Sequence, residues 1–269
     1  MTDLSDRLRR IERHHFDEAK STNMAALDWM KSSEPGQEAF FTTDVQTAGR
    51  GQRNRLWTQQ AAEDVAWTYA KHFPTHHHTE FRNLFILNMA ISMAVKTCIQ
   101  DSVTPHSSDT FRIKWPNDLY AKDQGIWKKC GGMLIENQWK GTRLTGMAVG
   151  VGINLHSKQQ WADRTSLQNI SHTEPQRAGL LKQLEQKVVD ILDQAATWRP
   201  VDMQTISKGY HTSLLGLNEV RNFEWREGKS SGKLLQIDQD GQAHIQWMDG
   251  AQQGQVSIFR SSENLRWIF

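Results

Sequence analysis

Apolar residues recur along this chain with two different periods. Alternation with a period of two, bounded by turn-forming residues, predicts strands over Glu38–Val45, Asp64–Phe73 and Phe111–Trp115, where Phe111, Ile113 and Trp115 alternate with polar neighbours. Met133–Trp139 and Leu144–Ile153 read as two more strands joined by the polar Lys140-Gly141-Thr142 turn, a hairpin. The helical period takes over elsewhere. Ser21-Thr22-Asn23 offers capping hydroxyl and amide groups ahead of Met24-Ala25-Ala26-Leu27, so a helix starts there. Phe81–Ile99 predicts a buried helix. Thr173 with Gln176 makes a candidate capping box before a helix whose Leu180, Leu184, Val188, Ile191 and Ala195 share one face. From about Leu217 the pattern shortens to brief strands separated by Glu227-Gly228, Asp240-Gly241 and Asp249-Gly250. Mixed helices and strands followed by short strands alone predict an α+β domain over 1–216, a mixed sheet with flanking helices, and a small β-barrel over 217–269.

Composition narrows the function classes. A 38% hydrophobic, 23% charged chain with 11 tryptophans has the means to build a core and is not disordered. A net charge of +2 excludes a global attraction to nucleic acid or to a membrane, so any basic site is local. Two cysteines, Cys98 and Cys130, are too few for a disulfide scaffold and lack zinc-ligand spacing, which points to a reducing cytosol. Met1–Asp17 has no signal-peptide pattern. The uncharged stretch Leu84–Val95 is shorter than the ~18 to 20 residues a bilayer span needs, so a soluble, cytoplasmic protein is expected. His76-His77-His78 beside Pro74 reads as an exposed loop.

Chemistry concentrates in four segments. Gln46–Trp57 follows a strand and carries Gly49, Gly51, Arg50, Arg53 and Arg55 with no acid between Asp44 and Glu63. Glycines let backbone approach a ligand and arginines supply fork donors for phosphate or carboxylate, although a solvated basic loop would look the same. Lys114-Trp115-Pro116-Asn117-Asp118 ends a strand in a rigid turn presenting an amide and a carboxylate, which is also ordinary turn chemistry. Lys129-Cys130-Gly131-Gly132 sets a lysine before bare backbone at the start of Met133-Leu134-Ile135-Glu136, where a hairpin turn with a surface lysine is the bland alternative. Gly150-Val151-Gly152-Ile153-Asn154 marks either bulges or ligand approach within a strand.

In this order the segments resemble the biotin-protein ligase family, whose loop reads G-R-G-R-R-G-R-x-W and whose later motifs read K-W-P-N-D and K-x-G-G-x-L-x-E. The likeness runs from about Asp17 to Phe269 and includes the S-T-N opening at Ser21 and the G-x-G-x-N stretch ending at Asn154. It implies a class II synthetase-like catalytic domain followed by a Src-homology-3-like barrel. It implies formation of biotinyl-5'-AMP from biotin and ATP with Mg2+, then transfer of biotin to a lysine of a biotin carboxyl carrier protein. Carried onto this chain, Lys129, Arg50 and Asp118 would be catalytic, Asp118 lying near the metal and the incoming lysine. Ser21, Thr22, Asn23, Gln46, Gly49, Gly51, Gln52 and Gly132, with Arg50 and Lys129, would hold biotin. Arg53, Arg55, Trp57, Lys114, Asn117, Gly150, Gly152, Asn154 and Arg260 would face ATP or the adenylate.

Gln52 and Asn54 depart from the family loop, where arginine and glycine are usual, leaving one cation fewer. With 20 residues ahead of Ser21 there is no room for a helix-turn-helix domain, so the monofunctional type, a monomer or weak homodimer without DNA or membrane binding, is expected. The nearest rival is a lipoate-protein ligase. A single-stranded nucleic-acid binder using Arg50, Arg53, Arg55 and Trp57 is the alternative from another class.

Overall fold

The structure, a computed structural model, describes residues 4–51, 57, 63–74, 84–105, 109–157, 162–226, 228–261, 263 and 265–268. In chain order the elements are α1 (Leu4–Arg10), β1 (Glu12–Ala19), α2 (Thr22–Ser32), β2 (Glu38–Gln46), β3 (Val65–His72), α3 (Leu84–Asp101), β4 (Phe111–Lys114), β5 (Asp118–Asp123), β6 (Ile126–Lys140), β7 (Arg143–Ile153), α4 (Arg177–Gln194), α5 (Pro200–Ser213), β8 (Val220–Trp225), β9 (Gly228–Ile237), β10 (Ala243–Trp247), β11 (Val256–Phe259) and β12 (Arg266–Ile268). Seven strands form one sheet in the order β1-β2-β3-β7-β6-β5-β4, and five form a second in the order β11-β10-β9-β8-β12. The first sheet is mixed: β1 runs parallel to β2 and the other neighbours pair antiparallel. The α+β expectation holds.

The large sheet is covered on both faces because its central strands are apolar on both. Every residue of Val65–Ala70 in β3 is buried. One face packs under α2, where Met30 and Phe41 cluster with the small side chains of Ala26, Ala39, Ala70 and Ala148. The other face, with Phe40, Trp67, Tyr69 and Val149, joins the main core with α3 and α4. At 18 residues and mean hydropathy 1.2, α3 has the length and composition of a membrane span, since it runs past Val95 to Asp101. Its Leu87, Met89, Ile91, Val95, Cys98 and Ile99 are buried in the main core, and it packs against both α4 and α5, the position of a core helix.

The second sheet shares that core through Phe223, Leu234, Ile245, Trp247 and Trp267. It is fastened to the first at named points. Trp115 Nε1 donates to Gly241 O at 2.9 Å, Ile237 N donates to His211 Nε2 at 3.0 Å, and Gly241 at φ +80° leaves the space that the Phe85 ring fills. Among the described residues no ladder joins β11 to β12, so the barrel expected from the sequence takes the form of a five-stranded antiparallel sheet.

Several local expectations change. Helix α2 starts where the hydroxyl cluster predicts, but Ser21 makes no side-chain cap bond to it. Gln176 is itself the N-cap of α4 and makes no side-chain cap bond, so the Thr173–Gln176 box does not form. Helix α5 carries half of such a box instead: Arg199 N donates to Asp202 Oδ2 at 2.9 Å, and the arginine side chain has no acceptor to return the bond. The first part of the expected Phe81–Ile99 helix and the His76-His77-His78 run lie outside the described residues.

Helix α1 is held by a charge cluster. Arg7 pairs with Glu38 at 2.5 Å and with Asp193 of α4, while Lys71 reaches Glu38 at 3.0 Å and Asp193 at 2.9 Å. Burial alone would raise the Glu38 pKa, but the Arg7 hydrogen bond and the Lys71 and Arg7 charges outweigh it and hold the carboxyl below its usual 4.5. A carboxyl depressed in the folded state stabilises above its unfolded pKa and loses that contribution as pH falls through the folded value. Glu38→Gln is expected to lower stability at neutral pH by about 3 kcal/mol, the low end for breaking a buried pair, and to flatten the loss of stability below pH 4.5. Urea melts across that pH range check this; parallel wild-type and variant curves would contradict it.

Candidate active site

The site forms where the amino end of α2 meets the glycine-bearing backbone of β6 and β7. Ser21, Thr22 and Asn23 are all buried there. Asn23 is pinned on three sides: Nδ2 donates to Leu134 O at 3.1 Å and to Glu136 Oε2 at 2.9 Å, and Oδ1 accepts from Thr68 Oγ1 at 2.8 Å. Gly150 makes room for this amide, because a Cβ there would lie 2.0 Å from Asn23 Oδ1. Thr22 N donates to Gln46 Oε1 at 2.9 Å, which fixes the glutamine at the end of β2. Hydroxyl and amide groups thus line one end of a narrow cleft.

Cations line the other end. Lys129 Nζ lies 2.5 Å from Asp118 Oδ1, and Lys114 Nζ lies 3.8 Å from Asp118 Oδ2. A register shift between Leu119 and Tyr120 in the β5–β6 ladder brings Asp118 opposite Gly132, and the bare Gly132 backbone leaves space for the ion pair. The Lys129 main chain is clamped by residues beyond β7: Lys129 N donates to Asp163 O at 3.1 Å and Thr165 N donates to Lys129 O at 2.9 Å. Arg50 approaches Glu136 at 3.6 Å, so the same carboxylate holds Asn23 and faces the loop arginine. Trp57 covers Gly152, where a Cβ would lie 2.7 Å from the indole, and Trp57 N ties back to Gly49 O at 2.8 Å.

The narrow cleft opens into a wider one between the two sheets. Trp57, Lys114, Asp118, Lys129 and Leu265 line both. The wider one adds Arg164, Lys229 and Arg266 against Asp163 and Glu224, an excess of positive charge suited to an anionic ligand. Burial pushes the Cys130 and Cys98 thiols up to about 12, so neither is a thiolate nucleophile at neutral pH.

Most of the residues singled out from the sequence converge here. Ser21, Thr22, Asn23, Gln46, Arg50, Gly51, Trp57, Lys114, Asn117, Asp118, Lys129, Gly132, Gly150 and Gly152 line the narrow cleft, and Asn154 lines the wider one. Asn117 and Asn154 also hold backbone, through bonds to Met133 O and to Thr165 O. Gly49 sits behind the cleft against Trp57 O. Arg260 is exposed and lines neither cleft; its backbone N bonds to Glu263. Gln52, Arg53, Asn54 and Arg55 lie outside the described residues. Both oxygens of Asp118 face lysines, and among the described residues no second carboxylate lines the narrow cleft. Sequence reading passed over Glu136 as a partner of Asn23 and Arg50, and over Tyr120, Leu265 and Trp267 in the cleft walls.

The sequence model of the biotin/lipoate A/B protein ligase family matches residues 16–154, just over half the chain and the part that supplies all of the narrow cleft's lining but Leu265. The chain belongs to this family. It is a ligase, and the resemblance drawn from the order of its motifs stands. The bifunctional ligase/repressor BirA of Bacillus subtilis is 24% identical over 246 residues, 88% of this ligase and 70% of that protein. A biotin protein ligase from Aquifex aeolicus in complex with biotin and ATP superposes with a TM-score of 0.67 at 23% identity, covering 93% of this ligase and 99% of that chain. One from Leishmania major in complex with biotinyl-5-AMP gives 0.57 at 20% identity, covering 93% and 99%. These structural likenesses extend over both sheets of the ligase.

Proposed function

We propose that this ligase activates biotin with Mg-ATP and transfers it to a lysine of a biotin carboxyl carrier protein. The observation that carries the reading is that one narrow cleft combines hydroxyl and amide groups at Ser21, Thr22 and Gln46 with cations at Lys114 and Lys129, and with Arg50 beside Glu136. A ureido ring presents donors and acceptors to the hydroxyl and amide groups and its valeryl chain delivers a carboxylate to the cations. The dithiolane of lipoate offers the hydroxyl and amide groups no donors or acceptors to match, which disfavours it.

Chemistry follows in two displacements. The biotin carboxylate attacks the α-phosphorus of Mg-ATP, a P–O bond forms, and pyrophosphate leaves. Lys129 and Arg50 lie where negative charge grows on the phosphate, and Lys129 leaves Asp118 to meet it. The unprotonated carrier lysine then attacks the acyl carbon and AMP leaves. In this reading Asp118, once Lys129 has moved to the phosphate, takes the proton that the carrier lysine's ammonium gives up before its amine attacks. Magnesium comes as part of the nucleotide and offsets its charge. The macromolecular partner is the carrier domain rather than DNA, in keeping with a net charge of +2, and the setting is the cytoplasm, in keeping with two buried free cysteines.

Calorimetry separates the readings. Biotin is expected to bind, to bind more tightly with a non-hydrolysable ATP analogue present, and to release pyrophosphate with ATP. Heat and pyrophosphate from lipoate instead of biotin would overturn the substrate assignment.

A further inference from the structure

Lys114 is a residue whose aim the first sheet alone does not fix. In β4 the buried positions are Phe111 and Ile113, so Arg112 and Lys114 lie on the opposite face. Lys114 pairs across the ladder with Asp118, and Arg112 with Tyr120, which places the Tyr120 ring diagonally beside the Lys114 stem. The Lys114 ammonium stands over the Tyr120 ring at 5.8 Å and over the Trp267 ring at 5.8 Å. These two rings come from different sheets. Trp267 is itself immobilised on β12: it meets Phe223 edge-on at 5.0 Å, and the bare Gly216, at φ +71°, lies against its far edge.

We propose that Trp267 is a positioning residue, closing with Tyr120 an aromatic clamp that holds the Lys114 ammonium at the mouth shared by the two clefts. Lysine is a point charge on a flexible four-carbon stem, and holding it in one place costs rotamer entropy. A carboxylate could hold it but would cancel its charge. Ring faces attract the cation through their quadrupole and leave the charge available. Lys114 is held in just this mixed way, 3.8 Å from Asp118 and between two rings, with 15% of its side chain exposed. The second sheet thus reaches the chemistry through an aromatic face at Trp267, whereas Arg260 lines neither cleft. The ligand met by Lys114 is the phosphate chain of the nucleotide, so this inference rests on the proposed function.

A double-mutant cycle in the full-length chain tests it, with biotin- and ATP-dependent pyrophosphate release as the rate and biotin affinity by calorimetry as the measure of an intact site. Trp267→Leu is expected to slow release by roughly tenfold with biotin affinity unchanged. Trp267→Phe, which keeps a ring face, retains most of the rate. In a Lys114→Met background Trp267→Leu adds no more than about twofold, because there is no cation left to hold. Should Trp267→Leu lose biotin binding, the cycle is run with Tyr120→Leu, which removes the other ring, and the same coupling to Lys114 is expected. An equal loss in both backgrounds, or full rate in the leucine variants, overturns the clamp. A wild-type chain that releases no pyrophosphate with biotin overturns the proposed function instead, so the two failures are distinct.

Discussion

Lys129→Ala is expected to slow pyrophosphate release from biotin and ATP by roughly 10²- to 10³-fold, the cost of about 2.7–4 kcal/mol seen when one donor aimed at developing charge is lost. The fold survives, because Lys129 is placed by its backbone: Asp163 O and Thr165 N hold its main chain and Tyr120 is its ladder partner. Nor does the change strand a buried charge, since Asp118 keeps Lys114 at 3.8 Å. The loss therefore falls on the chemical step, and rapid-quench measurement of pyrophosphate at saturating substrates reads it. Biotin affinity is expected to change less than the rate, since the proposed function gives the ring end to Ser21, Thr22 and Gln46. A Lys129→Ala enzyme with wild-type release would remove the lysine from the mechanism.

Gly150→Ala is expected to weaken biotin binding by roughly fivefold to 150-fold, the equivalent of about 1–3 kcal/mol of overpacking strain. The added methyl meets Asn23 Oδ1 at 2.0 Å and Nδ2 at 3.0 Å. Asn23 has no easy retreat, being bonded to Thr68, Leu134 O and Glu136. Either the amide swings away and drops these bonds or strand β7 shifts, and both distort the polar end of the cleft. Gly179→Ala is the control. It lies in α4 with 3.8 Å to its nearest contact, so the substitution fits and helix propensity raises stability by up to about 1 kcal/mol. Titration calorimetry on both variants reads the difference, and equal biotin affinities would contradict the packing argument.

Much of the site was legible because its chemistry sits in contiguous runs. Lys114–Asp118 is one turn, Lys129–Gly132 is one strand segment, and Gly150–Asn154 is its ladder neighbour. What the sequence did not carry is contact across distance. Glu136 stands beside Asn23 only because β6 passes α2, and Trp267 reaches Lys114 only because the two sheets pack together. The missed elements share a cause as well. Strand β1 is a sheet edge with no fully buried side chain, so the apolar alternation that reveals β2 and β3 is absent from it. In α5 only Tyr210 is fully buried, and Gly209, which lets Met93 approach to within 3.0 Å of where a Cβ would be, interrupts the helical pattern. The Thr173 box failed for the opposite reason: the spacing was right, but Thr173 N bonds to Ser171 and the helix begins later.

The most direct test of the account is the mass of a carrier. Incubated with the ligase, biotin and Mg-ATP, a biotin carboxyl carrier domain is expected to gain the mass of one biotinyl group on a single lysine, with AMP and pyrophosphate released. The same domain with that lysine changed to arginine should gain nothing. An unmodified carrier, or one that gains a lipoyl group from lipoate in place of biotin, would contradict the central claim.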